Sequence, residues 1–347
     1  MKILIVRNDK LGDFVLTLPC YSMLKQNHPD TEITVLVPEY TVEIARCCPY
    51  IDQVIIDDGK SSVTSLVKLV KTFRSHRFDA VITLFSTTRI ALAVFLARIS
   101  YRLAPATKIA QLFYNHRLRQ RRSRSEKPEY IYNLDLIKTF LDDQGIDEYN
   151  ETSPPYLYLD QETLTQLKND FYEEHQIDKN RKLIFMHAGS GGSANNLSLE
   201  QYAMLATMLN LNKHYALVLT VGPGEEEKIA DLSGLLHDTP HVIYHSVQGL
   251  TNFTRHIAIA DLFISGSTGP LHIAGALDVP TAAFYTRRQS ATKLRWQTLN
   301  SPGCRLAFSP PESAEPEDMS AVELDVAATE INGMLARLYP LSTRSNP

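Results

Sequence analysis

Nowhere does the chain hold an uncharged apolar run of about 20 residues, so no membrane-spanning helix is expected. Met1 and Lys2 lead straight into a short apolar strand, without the apolar core and small-residue cleavage site of a secretory signal. A cytoplasmic protein that meets membranes only at its surface is the expectation. Cysteine is scarce: Cys20, Cys47, Cys48 and Cys304 have neither the paired spacing of a zinc site nor the density of a disulfide scaffold, and read as reduced thiols. Charge of one sign is also missing. A net charge of -4 gives no global basic footprint, which argues against bulk electrostatic binding of nucleic acid and makes any anion site local. No first turn reads G-x-G-x-x-G followed by an acid about 20 residues on, and no glycine-rich loop ends in G-K-[ST]. A dinucleotide-dependent oxidoreductase and a P-loop enzyme are both disfavoured.

What is present is globular: 347 residues, 44% hydrophobic and 21% charged, enough for two domains of common size. Short apolar runs alternate with amphipathic segments. KILIVR, ITVLVP, QVIIDD and the run Asp79 to Phe85 read as strands, separated by helices over Leu11 to Gln26, Thr41 to Arg46 and Ser62 to Ser75, with another from Thr88 to Arg98. Tyr130 to Gln144 is a further helix, and the polar run Asn150 to Pro155, with two prolines, marks a linker. The rhythm restarts with KLIFMHA, ALVLTV, HVIYHS, LFISG and TAAFY, each followed or preceded by a helical segment. Such continuous apolar strands belong to a parallel sheet covered on both faces. The expected fold is α/β, with two Rossmann-like doubly wound domains at 1–155 and 156–320 facing across a cleft. A C-terminal helix and tail, 321–347, is expected to be able to pack back on the first domain. Open sheets of this kind bind ligands beyond the carboxyl ends of their strands.

Four strand-to-helix turns carry residues suited to chemistry there. In the first, Arg7 to Asp13, Gly12 lets backbone approach closely and Asp13 sits at a helix N-terminus that is expected to keep it ionised. An ionised carboxylate at a cleft edge accepts a proton, although Asp is equally a favoured helix cap. The second, His187 to Asn196, exposes the N–H groups of Ser190, Gly191, Gly192 and Ser193 in the manner of a phosphate cradle, or else is a plain connector. In the third, Gly222 to Glu227, Glu225 is placed to receive hydrogen bonds from ribose hydroxyls, while acids at a helix start also complement its dipole. The fourth, Ser265 to His272, offers Ser267, Thr268 and Gly269 to a second phosphate, has Pro270 in a first helical turn that suits it, and turns His272 toward the cleft; a lone histidine is also an ordinary packing residue.

Three segments in order, RNDKLGDFVLTLP, HAGSGGSANNLSLEQYA and FISGSTGPLHIAGALDVPTAAFY, resemble glycosyltransferase family 9, the lipopolysaccharide heptosyltransferases. The resemblance spans both domains and implies a GT-B architecture, with the acceptor on the first domain and ADP-heptose on the second. It also implies Asp13 as general base, an inverting single displacement, no resident metal or cofactor, and a donor diphosphate held by Ser190 to Ser193, Ser267 to Gly269 and His272. Two positions depart from the pattern. Asn195-Asn196 stands where many members carry a lysine, and Ser267 where many carry an acid. The identity of the donor sugar is therefore less fixed than the reaction, and a non-catalytic nucleotide-sugar-binding protein of the same fold is the rival reading.

From Asn115 to Lys127 the sequence reads NHRLRQRRSRSEK, a dense cationic run in a mildly acidic chain. Arginine suits phosphate and carboxylate groups, so Arg119, Arg121 and Arg122, with Arg7 and Lys10, are the expected contacts to a lipopolysaccharide core acceptor or to the inner-membrane surface. A solvated basic loop is the plainer alternative. No RNA-binding motif accompanies the run.

Overall fold

The computed structural model describes residues 1–107, 109–189, 195–210 and 214–340. It divides into two compact units, Met1–Tyr158 and a second beginning at Leu159. The first runs β1 (Lys2–Val6), α1 (Leu11–Val15), α2 (Leu18–Asn27), β2 (Glu32–Pro38), α3 (Val42–Arg46), β3 (Gln53–Asp57) and α4 (Val63–His76). It continues with β4 (Ala80–Thr83), α5 (Thr88–Leu96), β5 (Tyr101–Pro105), β6 (His116–Leu118) and α6 (Glu129–Asp143). All six strands are parallel, in the order β3-β2-β1-β4-β5-β6. Alternation along β1 sends Leu4 and Val6 into a core with Phe73 of α4 and Ile90 and Val94 of α5, and Ile3 and Ile5 to the opposite face, where α2 and α6 pack.

The second unit runs α7 (Gln161–Glu174), β7 (Lys182–His187), α8 (Leu199–Asn210), β8 (Tyr215–Val221), α9 (Glu226–Leu235) and β9 (His241–His245). Then follow α10 (Gly249–Ala258), β10 (Leu262–Gly266), α11 (Gly269–Ala276), β11 (Thr281–Phe284), β12 (Arg305–Phe308) and α12 (Leu324–Leu338). Its parallel sheet is ordered β12-β11-β10-β7-β8-β9, the same doubly wound order as the first. In each unit the order reverses beside the first strand, so the loops after β1 and after β7 lie at topological switch points.

Three local expectations change. The helix expected over Leu11 to Gln26 is two, because Pro19 supplies no N–H and its ring excludes a continuous helix across residue 15. The basic run contains β6, the edge strand of the first sheet, and a 3-10 turn at Arg122–Arg124, rather than only a loop. The C-terminal helix does not form a separate piece. Ala327, Ile331, Met334 and Leu335 of α12 are buried in the core of the second unit against α8, and Tyr339 donates its hydroxyl to the Asp261 carbonyl at 3.1 Å. No helix among the described residues is long and apolar enough to cross a membrane.

Candidate functional site

At the end of β1 the chain buries a guanidinium. Arg7 is only 3% exposed, and its N–H groups are divided among three carboxylates. Nε donates to Asp9 at 2.7 Å, Nη2 donates to Asp13, and Nη1 donates to Glu129 and Asn133, each at 3.3 Å. Glu129 and Asn133 project from the first two turns of α6, and Asn133 also donates to the Leu16 carbonyl at 3.3 Å, tying α6 to the end of α1. Arg122 from the basic run donates to the same Glu129 oxygen at 2.7 Å. Two guanidiniums facing three acids in a poorly solvated place leave local negative charge only partly balanced.

Burial here reverses one expectation. Asp13 does lie in the first turn of α1, but a helix of five residues has little dipole to offer. Burial instead pushes its carboxyl above the ordinary Asp value; Arg7 opposes the shift, and the Glu129 charge adds to it. Asp9 is likewise driven up, to about 6, chiefly by burial, with Arg7 pulling the other way and Asp13 adding to the rise. Arg7 itself is held above its usual value: burial works to lower it, and the Asp9, Asp13 and Glu129 charges outweigh that. A carboxylate with a raised pKa is a stronger proton acceptor than an ordinary aspartate, which is what general-base chemistry near neutral pH requires.

Of the five residues expected at an acceptor, the structure separates two from the rest. Arg7 is engaged in holding Asp13 rather than open to a ligand. Arg122 is tied to Glu129 and lies over the Tyr132 ring at 5.7 Å. Lys10, Arg119 and Arg121 are exposed. Glu129, Asn133 and Asp9 carry no sequence signal of their own. Glu129 is 122 residues from Arg7, and only the packing of α6 brings them together.

His187 at the end of β7 is 5% exposed, hydrogen-bonds Thr220 Oγ1 at 3.0 Å, and is kept neutral by burial, which lowers its pKa. Glu225 accepts from the Gly222 N–H at 3.0 Å and stands 4.0 Å from His187 Nε2. Gly189 is what admits that carboxylate: a Cβ there would lie 2.0 Å from Glu225 Oε1. Ser190, Gly191, Gly192 and Ser193 lie outside the described residues. Asn195 is exposed. Asn196 is locked in place, accepting from the Tyr202 hydroxyl at 2.7 Å, and Gly266 leaves it room, since a Cβ there would meet its side chain at 2.4 Å.

At the head of α11, Thr268 is a buried N-cap: its Oγ1 accepts from the Leu271 N–H at 3.5 Å and shares a 3.1 Å hydrogen bond with Ser265. Its hydroxyl is thus engaged within the turn. Pro270 has no N–H, which leaves Gly269 as the first-turn donor outside the cap. Ser267 is partly exposed beside it. His272 is 2% exposed, with its pKa lowered to about 4 by burial alone, and its Nδ1 meets no partner among the described residues. A neutral imidazole still offers one N–H and one acceptor, so its contribution is hydrogen bonding rather than charge.

Two parallel doubly wound units of this strand order are the architecture of the GT-B class of glycosyltransferase folds. Residues 66–301 match the family model described as glycosyltransferase family 9 (heptosyltransferase), and the chain belongs to that family. It is 43% identical over 342 residues, covering 98% of this chain and 99% of the relative, to a Haemophilus influenzae protein described only as a glycosyltransferase. It is 26% identical to lipooligosaccharide heptosyltransferase 2 of Haemophilus ducreyi, over 81% of each chain. Among solved structures, a glycosyl transferase family 9 protein from Veillonella parvula superposes with a TM-score of 0.81 at 18% identity, covering 97% of both chains. The ADP-heptose lipopolysaccharide heptosyltransferase II of Escherichia coli gives 0.77 at 17%, covering 97% of this chain and 99% of that one. At these identities the superpositions speak to fold alone.

Proposed function

We propose that this glycosyltransferase transfers a heptose from ADP-heptose to a sugar of the lipopolysaccharide inner core, by a single inverting displacement without a resident metal or cofactor. The observation that carries the reading is Asp13, a carboxylate with raised pKa, held by Arg7 at the carboxyl end of β1. In the reaction the acceptor hydroxyl gives its proton to Asp13 while its oxygen bonds to the anomeric carbon on the face opposite the departing group. The bond from that carbon to the diphosphate oxygen breaks, and ADP leaves with the electron pair. The transition state is oxocarbenium-like, so N–H and hydroxyl donors at the phosphates lower the barrier. We assign that role to Ser190 to Ser193, Asn195, Ser267, Gly269 and the neutral His272, with Glu225 receiving the ribose hydroxyls. Lys10, Arg119 and Arg121 are the exposed cations assigned to the anionic acceptor. The reaction is proposed to take place on the cytoplasmic side of the inner membrane.

Support comes from the family and from relatives whose names specify lipopolysaccharide or lipooligosaccharide heptosyltransferases, among them lipopolysaccharide heptosyltransferase 3 of Escherichia coli at 26% identity. The test is transfer from ADP-heptose to a heptose-deficient core acceptor, read by mass, with UDP- and GDP-sugars in parallel and with chelator present. A mass gain of one heptose from the ADP donor alone, unaffected by chelator, is the expected result. Transfer from another nucleotide sugar would replace heptose while keeping the reaction. Binding of ADP without transfer to any acceptor would favour the non-catalytic reading, which Asn195 and Ser267 at otherwise charged family positions motivate.

A further inference from the structure

The 46 residues from Ala80 to Ser125 contain nine Lys and Arg and no Asp or Glu, while the rest of the chain sets its other 26 cations against all 39 acids. This acid-free span also carries exposed apolar side chains on two elements packed against each other. Phe95 and Leu96 end α5, at 47% and 39% exposed, and Ile109 and Leu112 stand out from the 3-10 segment Ile109–Phe113 at 73% and 72%. Phe95 and Phe113 bring the two elements together, their rings 5.6 Å apart. Single exposed apolar side chains need no explanation, but four on adjoining elements form a patch.

Cations interleave with it. The Arg102 guanidinium lies 5.7 Å from the Phe95 ring centre and donates to the Phe113 carbonyl at 3.0 Å. Arg74 donates to the Leu96 carbonyl at 2.7 Å, Arg98 is exposed just beyond the helix, and Arg117 is exposed on the edge strand β6. Basic head groups ringing shallow apolar side chains are the composition of an interfacial membrane contact: apolar groups enter the acyl boundary while arginines meet anionic head groups. A protein partner of ordinary composition would demand acids in matching places; a bilayer rich in anionic phospholipid offers a continuous negative surface.

We propose that this face of the first unit, built from the end of α5, the segment Ile109–Phe113 and the adjoining arginines, docks the protein on an anionic phospholipid bilayer. The inference draws its biological purpose from a lipid-anchored acceptor, yet it is tested by binding alone, so its failure leaves the proposed transfer untouched.

The experiment is co-sedimentation of the full chain with vesicles of phosphatidylethanolamine and phosphatidylglycerol, and with vesicles of phosphatidylcholine alone. The wild type is expected to pellet with the anionic vesicles and to be released as salt rises, and to stay in solution with the neutral ones. Ile109→Asp/Leu112→Asp changes side chains that are almost fully outside the core; its partitioning is expected to fall about tenfold or more, with circular dichroism and turnover on a delipidated soluble acceptor unchanged. Arg98→Gln/Arg117→Gln should weaken binding by about an order of magnitude as well. Equal binding to neutral vesicles, no binding to either, or wild-type partitioning by the Ile109/Leu112 variant would each overturn the proposal. So would light scattering that shows a dimer lost in that variant, because the face would then belong to a second copy.

Discussion

The two units share a strand order and put their polar residues at the same topological place, yet they solve opposite electrostatic problems. After β1 the first unit gathers Asp9, Asp13 and Glu129 around one buried guanidinium, and burial pushes the Asp9 and Asp13 carboxyls above their ordinary range. After β7 and β10 the second unit buries His187 and His272, both held neutral, among hydroxyls and glycines. The fold fixes where these polar residues gather, and the proposed function assigns proton handling to the first unit and neutral hydrogen-bond donation to the second.

Breaking the charged half should have the largest effect. Arg7→Met leaves Asp13, Asp9 and Glu129 without their shared cation, which is expected to cost about 3–5 kcal/mol of stability in the first unit. In protein that remains folded, the Asp9 and Asp13 pKa values rise further, because Arg7 is what holds them down. The acidic limb of the kcat/KM profile should move to higher pH, and turnover at neutral pH should fall about a hundredfold. Arg7→Lys should recover part of both. A variant with the wild-type pH profile would show that Arg7 does not govern Asp13.

Acid sharpens the comparison at somewhat smaller cost. Asp9, raised from 3.8 to about 6, contributes stability that is fully present below its unfolded value and is lost as pH rises through about 6. His272, lowered from 6.5 to about 4, contributes in the opposite sense: its stability is present above pH 6.5 and is lost as pH falls toward 4. Each is worth up to about 3 kcal/mol across that window. Hydrogen exchange followed from pH 6.5 to 4 should show protection falling in the second unit relative to the first, and His272→Gln should remove much of the difference. A parallel fall in both units would contradict this assignment.

The smallest effect is expected where the second unit relies on close backbone approach. Gly266→Ala sets a Cβ within 2.4 Å of the Asn196 side chain, which must shift along with its hydrogen bond from Tyr202. A loss of about 1–3 kcal/mol in stability is expected, with a few-fold weaker hold on ADP and an unchanged pH profile.

These contrasts also mark how far the sequence could be read. Strands such as KLIFMH and LFISG announce themselves as continuous apolar runs because both sheet faces are covered, and the turns after them show their glycines and hydroxyls directly. β6 is invisible in the basic run: HRL has no strand periodicity of its own, and its pairing is supplied by β5. Asp13 stands out as a candidate, but its protonation behaviour does not, because burial in the folded unit sets it first and the Glu129 charge that adds to the rise comes from α6, more than 100 residues along the chain. The same applies to α12, whose apolar stripe announces burial without naming the partner, α8 in the second unit. Local pattern specifies elements, and long-range packing specifies pKa values.

The division between the units is tested most directly by measuring ADP affinity and turnover side by side for Asp13→Asn and Glu225→Gln. Asp13→Asn is expected to hold ADP within about twofold of wild type while turnover falls about a thousandfold, as for loss of a general base. Glu225→Gln is expected to weaken ADP about tenfold with a much smaller change in turnover at saturation. If Asp13→Asn weakens ADP as much as Glu225→Gln does, or keeps its turnover, proton handling and donor binding are not divided between the two units and the account fails.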